Sequence, residues 1–194
     1  MSIGIKDIIR SGHVTRWHMV RTTRSQTLAE HLYLVTMIAL DIYDGVYEGK
    51  SNPSDKMELL EWSLRHDTPE LLTGDLPTPI KRRLEAYFKE GQNPLDELED
   101  ATCPKFKAAK EAVEGKAVER IVKLADLADA IAFLQEEGVN EHSKVIRNQT
   151  IARYKDYCYQ SRQMYPELNW DAALKTLDEI IFGSDSQIDF EWND

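Results

Sequence analysis

Along most of the chain apolar residues return at intervals of three and four, with no long run of alternating apolar and polar residues between turn signals. A chain patterned this way buries its apolar side as helix packed on helix. Breaks are few, with 9 Gly and 7 Pro in 194 residues, so each one is informative. The expected fold class is therefore all-α, a single-domain helical bundle. Its clearest start signal is Thr27-Leu28-Ala29-Glu30, where the threonine can cap an amide and the glutamate three residues later can reach back. In the helix predicted from there to about residue 47, Leu28, His31, Val35, Ile38 and Ile42 share one stripe, which turns an imidazole toward the core.

The remaining elements follow from the same periodicity. A short helix over residues 3–11 should stop at Gly12, followed by an irregular, arginine-rich stretch through Gln26. Ser54 is expected to cap a helix carrying Leu59, Leu60, Trp62 and Leu64. It should end near His66-Asp67, because Thr68 precedes Pro69 and is biased out of the helical region. Thr68-Pro69 and Thr78-Pro79 both read as a cap followed by proline in the first helical position, with Gly74 and Pro77 marking a structured loop between them. After a helix ending at Gly91, residues 92–104 read as an acidic, exposed connection. A helical pattern then runs toward Gly138, broken at Gly115, with Val118, Ile121, Val122, Ala125, Ala128, Ala132 and Phe133 on its inner side. Helices over 141–165 and 170–182 complete the bundle. The domain is expected to span 1–182, leaving an acidic C-terminal tail, 183–194, as a loose end.

Composition narrows the function. The 24 basic and 34 acidic residues give a net charge of −10, so the average field repels nucleic acid and anionic membrane alike. No apolar run approaches the roughly 18 residues of a membrane span, and the N-terminus lacks the basic and apolar regions of a secretory signal. A soluble, cytoplasmic protein is the expectation. Two cysteines, Cys103 and Cys158, make neither a disulfide framework nor a Cys-x-x-Cys pair.

Ionisable groups in a helical core must be paired or bound to metal. His31 on one helix, His66 and Asp67 at the end of another, and Asp126 on a third can converge on one point. Two imidazoles and two carboxylates suit Zn, Mn, Fe, Co or Ni, and a set without cysteine that leaves coordination positions open points toward catalysis. Asp129, on the same face as Asp126, competes for the fourth ligand. A single His on an apolar face is more often a hydrogen-bonded core residue, and His13, His18 and His142 have no partner indicated.

Five stretches occur in one order: Arg16-Trp17; Ala29-Glu30-His31; His66-Asp67-Thr68-Pro69-Glu70; Thr73-Gly74-Asp75-Leu76-Pro77-Thr78-Pro79-Ile80-Lys81; and Lys123-Leu124-Ala125-Asp126. As a set they resemble the HD-domain phosphohydrolases, in the branch of YfbR-like bacterial 5′-deoxynucleotidases and small phage dATP triphosphohydrolases. The resemblance implies an HD-type bundle with a divalent metal, Co, Mn or Zn, held in its core by His31, His66, Asp67 and Asp126. It implies that Glu70 orients or deprotonates the attacking water and that Asp75 stands by the departing 5′-oxygen. Arg16 would bind phosphate, and Trp17 would exclude a 2′-hydroxyl. Met19 and Pro79 would flank adenine and close the pocket against a 2-amino group, as suits a phage that replaces adenine with 2-aminoadenine in its DNA.

A nucleoside triphosphate brings about four negative charges, so a chain of net −10 needs concentrated positive charge to receive it. Lys81 belongs to the shared motif and Lys116 can extend the same basic wall, together with a second divalent ion on the triphosphate. The wording Arg16-Trp17-His18-Met19 is closer to the phage enzymes. dATP is the expected substrate, yielding deoxyadenosine and triphosphate. The alternatives are 5′-deoxynucleotidase action on a monophosphate and an inert nucleotide-binding helical protein. Relatives self-associate, so a homo-oligomer is expected.

Overall fold

The first helix, α1 (Ile5–Ile9), tightens into a 3-10 turn at Arg10–His13, where Gly12 was expected to stop it. The computed structural model describes residues 3–50, 52–88 and 93–183. Among them nine further helices follow: α2 (Leu28–Val46), α3 (Pro53–Arg65), α4 (Glu70–Thr73), α5 (Thr78–Tyr87), α6 (Pro94–Thr102), α7 (Pro104–Val113), α8 (Ala117–Glu137), α9 (Glu141–Met164) and α10 (Asp171–Phe182). The only β pairing among the described residues is two isolated bridges, Thr15 with Thr27 and Thr22 with Gly138. None of the described helices is long and apolar enough to cross a membrane.

Helix α8 is the axis of the bundle. Its alanines at 117, 125 and 128 let α2 and α9 lie close on either side, while Val118, Ile121, Leu124 and Ile131 fill the seams. Val35, Ala39, Ile42 and Val46 of α2 face it, all buried. At Gly45 a Cβ would meet the Ala172 methyl at 2.8 Å, so a glycine lets α10 close over the end of α2.

Several starts differ from the sequence reading. Thr27 caps α2 as expected, its hydroxyl accepting the Glu30 N–H at 3.2 Å, but the Glu30 carboxylate turns to Arg24 at 2.7 Å instead of reaching back. Asn52, not Ser54, caps α3, because Pro53 occupies the first helical position and the Asn52 oxygen accepts from the Ser54 N–H. Neither Thr68 nor Thr78 caps through its side chain, and Pro69 and Pro77 flank those two starts. Residues 94–102 are helical instead of an open connection, since Asn93 caps them and Pro94 pre-sets the first turn. Helix α5 ends at Tyr87; the expected stop at Gly91 and the tail from residue 184 lie outside the described residues.

The arginine-rich stretch before α2 is irregular but tied down. Leu28 N–H bonds the Val14 carbonyl and Arg16 N–H the Gln26 carbonyl, both at 2.8 Å, while Thr23 N–H bonds the Glu137 carbonyl at 2.9 Å. The loop is thereby stapled at its base to α2 and at its tip to the C-terminal end of α8, which places Arg16 and Trp17 beside the ends of α3 and α4.

Candidate metal centre and hydrolytic site

Three elements deliver the cluster. The first turn of α2 carries His31 into the core, fully buried. His66 is the C-cap of α3, where Pro69 prevents the helix from continuing and turns Asp67 inward. Helix α8 brings Asp126. Ligand atoms of His31, His66 and Asp67 lie within 4.8 Å of one another, and His31 Nε2 is 3.3 Å from Asp67 Oδ2 and 3.6 Å from Asp126 Oδ1.

The hydrogen bonds on the far side of each imidazole decide what this cluster can hold. His66 Nδ1 donates to the Ser63 carbonyl at 2.9 Å; a carbonyl only accepts, so the proton is on Nδ1. His31 Nδ1 donates to Asp129 Oδ2 at 2.6 Å. In the neutral rings both Nε2 lone pairs are therefore free and aimed at the cluster. Both Nε2 atoms are buried and make no hydrogen bond among the described residues. Burying such atoms unpaired is costly, and a divalent cation satisfies both at once. The residues fit a metal with nitrogen and oxygen ligands.

Asp126 and Asp129 stand on opposite sides of His31. Asp129 is 2% exposed and stands behind His31, on the side away from the cluster, where it fixes the ring. Asp126 Oδ1 faces the cluster while Oδ2 takes Lys123 Nζ at 2.5 Å. Burial opposes the imidazolium of His31, but the Asp129 and Asp67 carboxylates outweigh it and push its pKa up to about 9. For His66 burial wins over the nearby Asp67 and Asp126 carboxylates and holds its pKa below the usual value.

Around the cluster the acid–base candidates are in place. Glu70, in the first turn of α4, is 4% exposed; Lys81 Nζ reaches its Oε1 at 2.9 Å and Arg16 Nη1 its Oε2 at 3.5 Å. Burial, with the Asp67 charge, pushes Glu70 up to about 8 against the pull of those two cations. Arg16 Nη1 donates to Asp67 at 2.7 Å, and its Nε is buried without a partner. Gly74, at φ +72°, turns the chain after α4 and brings Asp75 to the Trp17 backbone, whose N–H donates to Oδ2 at 3.4 Å. Trp17 stacks on Phe133, centroids 5.8 Å apart at 10°.

The outer residues are less gathered. Met19 is 65% exposed and Pro79 lies exposed in the first turn of α5. Lys116 precedes α8, pairs with Glu58 at 2.7 Å, and lines a cavity of about 270 Å³ with Tyr47, Asp55 and Tyr165, apart from the cluster. The cavity that reaches the cluster, about 210 Å³, is lined by Trp62, His66, Asp67, Glu119, Val122, Lys123, Asp126 and Tyr157. Sequence reasoning did not single out Gln26 or the Ser63 carbonyl, since neither carries a motif and the burial of Gln26 is seen only in the fold.

Comparison with known proteins gives the family and the fold. Residues 6–165 match the family model described as 5′-deoxynucleotidase YfbR-like. A dATP triphosphohydrolase of Salmonella phage PMBT28 is 30% identical over 179 residues, 80% of this chain and 88% of that protein. One of Acinetobacter phage SH-Ab 15497 is 28% identical, covering 92% and 91%. A 5′-deoxynucleotidase of Pasteurella multocida is 29% identical, covering 86% and 91%. Among solved structures, the cyanophage S-2L HD phosphohydrolase DatZ, bound to dA and one catalytic Zn2+ ion, shares the fold with a TM-score of 0.79 at 23% identity, covering 95% of this chain and all of that one.

Proposed function

Because the chain belongs to the YfbR-like 5′-deoxynucleotidase family, we propose that it is a metal-dependent deoxynucleotide phosphohydrolase that splits dATP and water into deoxyadenosine and triphosphate. The observation that carries the reading is the pair of buried, unpartnered imidazole nitrogens beside Asp67, flanked by Glu70 and by the cations of Arg16 and Lys81. His31, His66, Asp67 and Asp126 would hold one divalent cation, Zn, Co or Mn. When bound, it supplies a Lewis acid for a phosphate oxygen and acidifies a water.

The chain's own residues supply the rest. Glu70, whose ionised form Lys81 and Arg16 favour, orients the attacking water and takes its proton. Arg16, with a spare buried Nε–H, clamps the α-phosphate. Asp75, beside the Trp17 backbone, gives a proton to the departing 5′-oxygen. The Trp17 indole packs against the deoxyribose and leaves no room for a 2′-hydroxyl. Met19 and Pro79 border the adenine, and Lys81, with a second divalent ion, meets the triphosphate tail, while Lys116 stays with Glu58 at its own cavity.

The family name favours a second reading, hydrolysis of a deoxynucleoside monophosphate to nucleoside and phosphate. Incubation with the four dNTPs and the four dNMPs across Zn, Co, Mn and Mg, with every product identified, separates the two. Inorganic triphosphate from dATP supports the first. Orthophosphate from dAMP, with dATP untouched, replaces it with the second.

A further inference from the structure

Behind the metal cluster a single file of hydrogen bonds connects the tryptophan of the loop to a histidine of the cluster. The Trp17 indole N–H donates to Gln26 Oε1 at 3.0 Å. Gln26 Nε2 donates to both oxygens of Asp129, at 2.9 and 3.1 Å. Asp129 accepts from His31 Nδ1 at 2.6 Å. Gln26 is fully buried and Asp129 nearly so, so no water replaces any of these partners cheaply.

The chemistry of the ends fixes the sense of each bond, with the donations from Gln26 and from His31 converging on Asp129. An indole nitrogen can only donate, so the amide oxygen of Gln26 must face it and the amide nitrogen must face Asp129. An ionised carboxylate can only accept, so the His31 proton stays on Nδ1 and the Nε2 lone pair stays toward the cluster. Were packing the only demand, an apolar side chain of the same volume would serve at position 26. A glutamine there accepts from the indole with its oxygen and donates to the carboxylate with its nitrogen, which no apolar side chain can do.

Trp17 needs such a hold. Its backbone lies at φ +66°, a left-handed conformation that a bulky residue adopts only when its surroundings enforce it. Three contacts do so: the Asp75 carboxylate on its N–H, Phe133 against one ring face, and Gln26 on the indole nitrogen. Gln26 also receives the Arg16 N–H on its own carbonyl, at 2.8 Å, so one residue sets the positions of both Arg16 and Trp17.

We propose that Gln26 is a specificity-determining positioning residue: it fixes the Trp17 indole relative to His31, so that the pocket's rejection of a ribose and its hold on the metal are coupled through one buried amide. The sugar half of this proposal rests on the reading of Trp17 given above; the metal half does not.

The test uses the full chain with Gln26→Met, Trp17→Phe and Trp17→Ala, and measures three quantities. These are the ratio of ATP to dATP turnover (kcat/KM), zinc affinity by chelator competition, and melting temperature. Gln26→Met should raise relative ATP turnover roughly tenfold, the size of one lost hydrogen bond. It should also weaken zinc binding by up to about tenfold, as loss of an outer partner does. A merely structural glutamine would lower the melting temperature and move neither ratio nor affinity, and that result overturns the proposal. Should Gln26→Met not fold, Trp17→Phe, which keeps an aromatic ring but removes the N–H with the five-membered ring that carries it, must still weaken zinc severalfold; unchanged affinity overturns the coupling. If Trp17→Ala leaves ribose discrimination intact, Trp17 is not the sugar contact and the sugar half falls with that reading. If Trp17→Ala relaxes discrimination while Gln26→Met does not, Gln26 alone is excluded.

Discussion

Replacing Asp129 by Asn keeps the shape of the side chain and removes its charge, which makes it a sharp probe of the ring it orients. Wild-type Asp129 accepts three N–H contacts, one from His31 and two from Gln26. An asparagine has one oxygen. If that oxygen stays on His31, its NH2 meets the Gln26 NH2 donor to donor. If it turns to Gln26, His31 must move its proton to Nε2, where the lone pair is needed for metal. The first arrangement leaves a buried donor without its partner, at a cost of about 1–3 kcal/mol, and the second takes the Nε2 lone pair from the metal. Zinc affinity should fall 10- to 100-fold.

The proton on His31 complicates the measurement in a way that can be used. At about 9, its pKa means that zinc must displace a proton at pH 7, which costs about two powers of ten in apparent affinity. Asparagine removes the charge that raises that pKa, so part of the loss at pH 7 is offset. The deficit of Asp129→Asn should therefore be small at pH 7 and widen toward pH 9, where wild type no longer meets proton competition. Chelator competition at pH 6, 7, 8 and 9 reads this directly. Wild-type zinc affinity in the variant across that range would refute the assignment of Asp129 as the group that orients His31.

Three further outcomes follow from the same site. Glu70→Gln retains an oxygen for Lys81 but cannot take a proton, so kcat should drop about 10²- to 10⁴-fold with KM little changed; an equal loss in nucleotide binding would mean that Glu70 serves structure instead. Lys116→Ala should leave KM for dATP within about twofold, because Lys116 lines a cavity apart from the cluster and its Glu58 pair is half exposed; a severalfold rise in KM would return Lys116 to the triphosphate. Chelator-stripped protein should lose stability as pH rises. The raised pKa of His31 contributes stability below about 6.5 that vanishes through about 9, and the raised pKa of Glu70 penalises the folded state increasingly from about 4.5 to about 8. Its melting temperature should fall between pH 5 and pH 9 and that of the zinc-loaded protein should fall less; parallel curves would contradict the site.

What could be read in the sequence was whatever depends on neighbours in the chain. His31 was legible because α2 repeats its apolar residues at three and four, and the turn at His66-Asp67 because Pro69 ends α3 from outside. Residues 94–102 were misread for the complementary reason: α6 packs on little besides α7, so its apolar positions are sparse and its helix rests on Asn93 and Pro94. Thr68 and Thr78 looked like caps, yet proline beside each start supplies the backbone geometry without a hydroxyl. Long-range placement was the illegible part. Periodicity sets Asp126 and Asp129 on one side of α8, but three residues along a helix also means a rise of about 4.5 Å. That rise puts one carboxylate before His31 and the other behind it, and only the packing of α2 on α8 reveals which. Gln26 was hidden further still, since its position is set by the pairing of the loop on itself and by Glu137 at the far end of α8. The candidate metal ligands can thus be recognised one motif at a time, whereas the residues that aim them belong to no motif and come into view only when loop and helix are placed together.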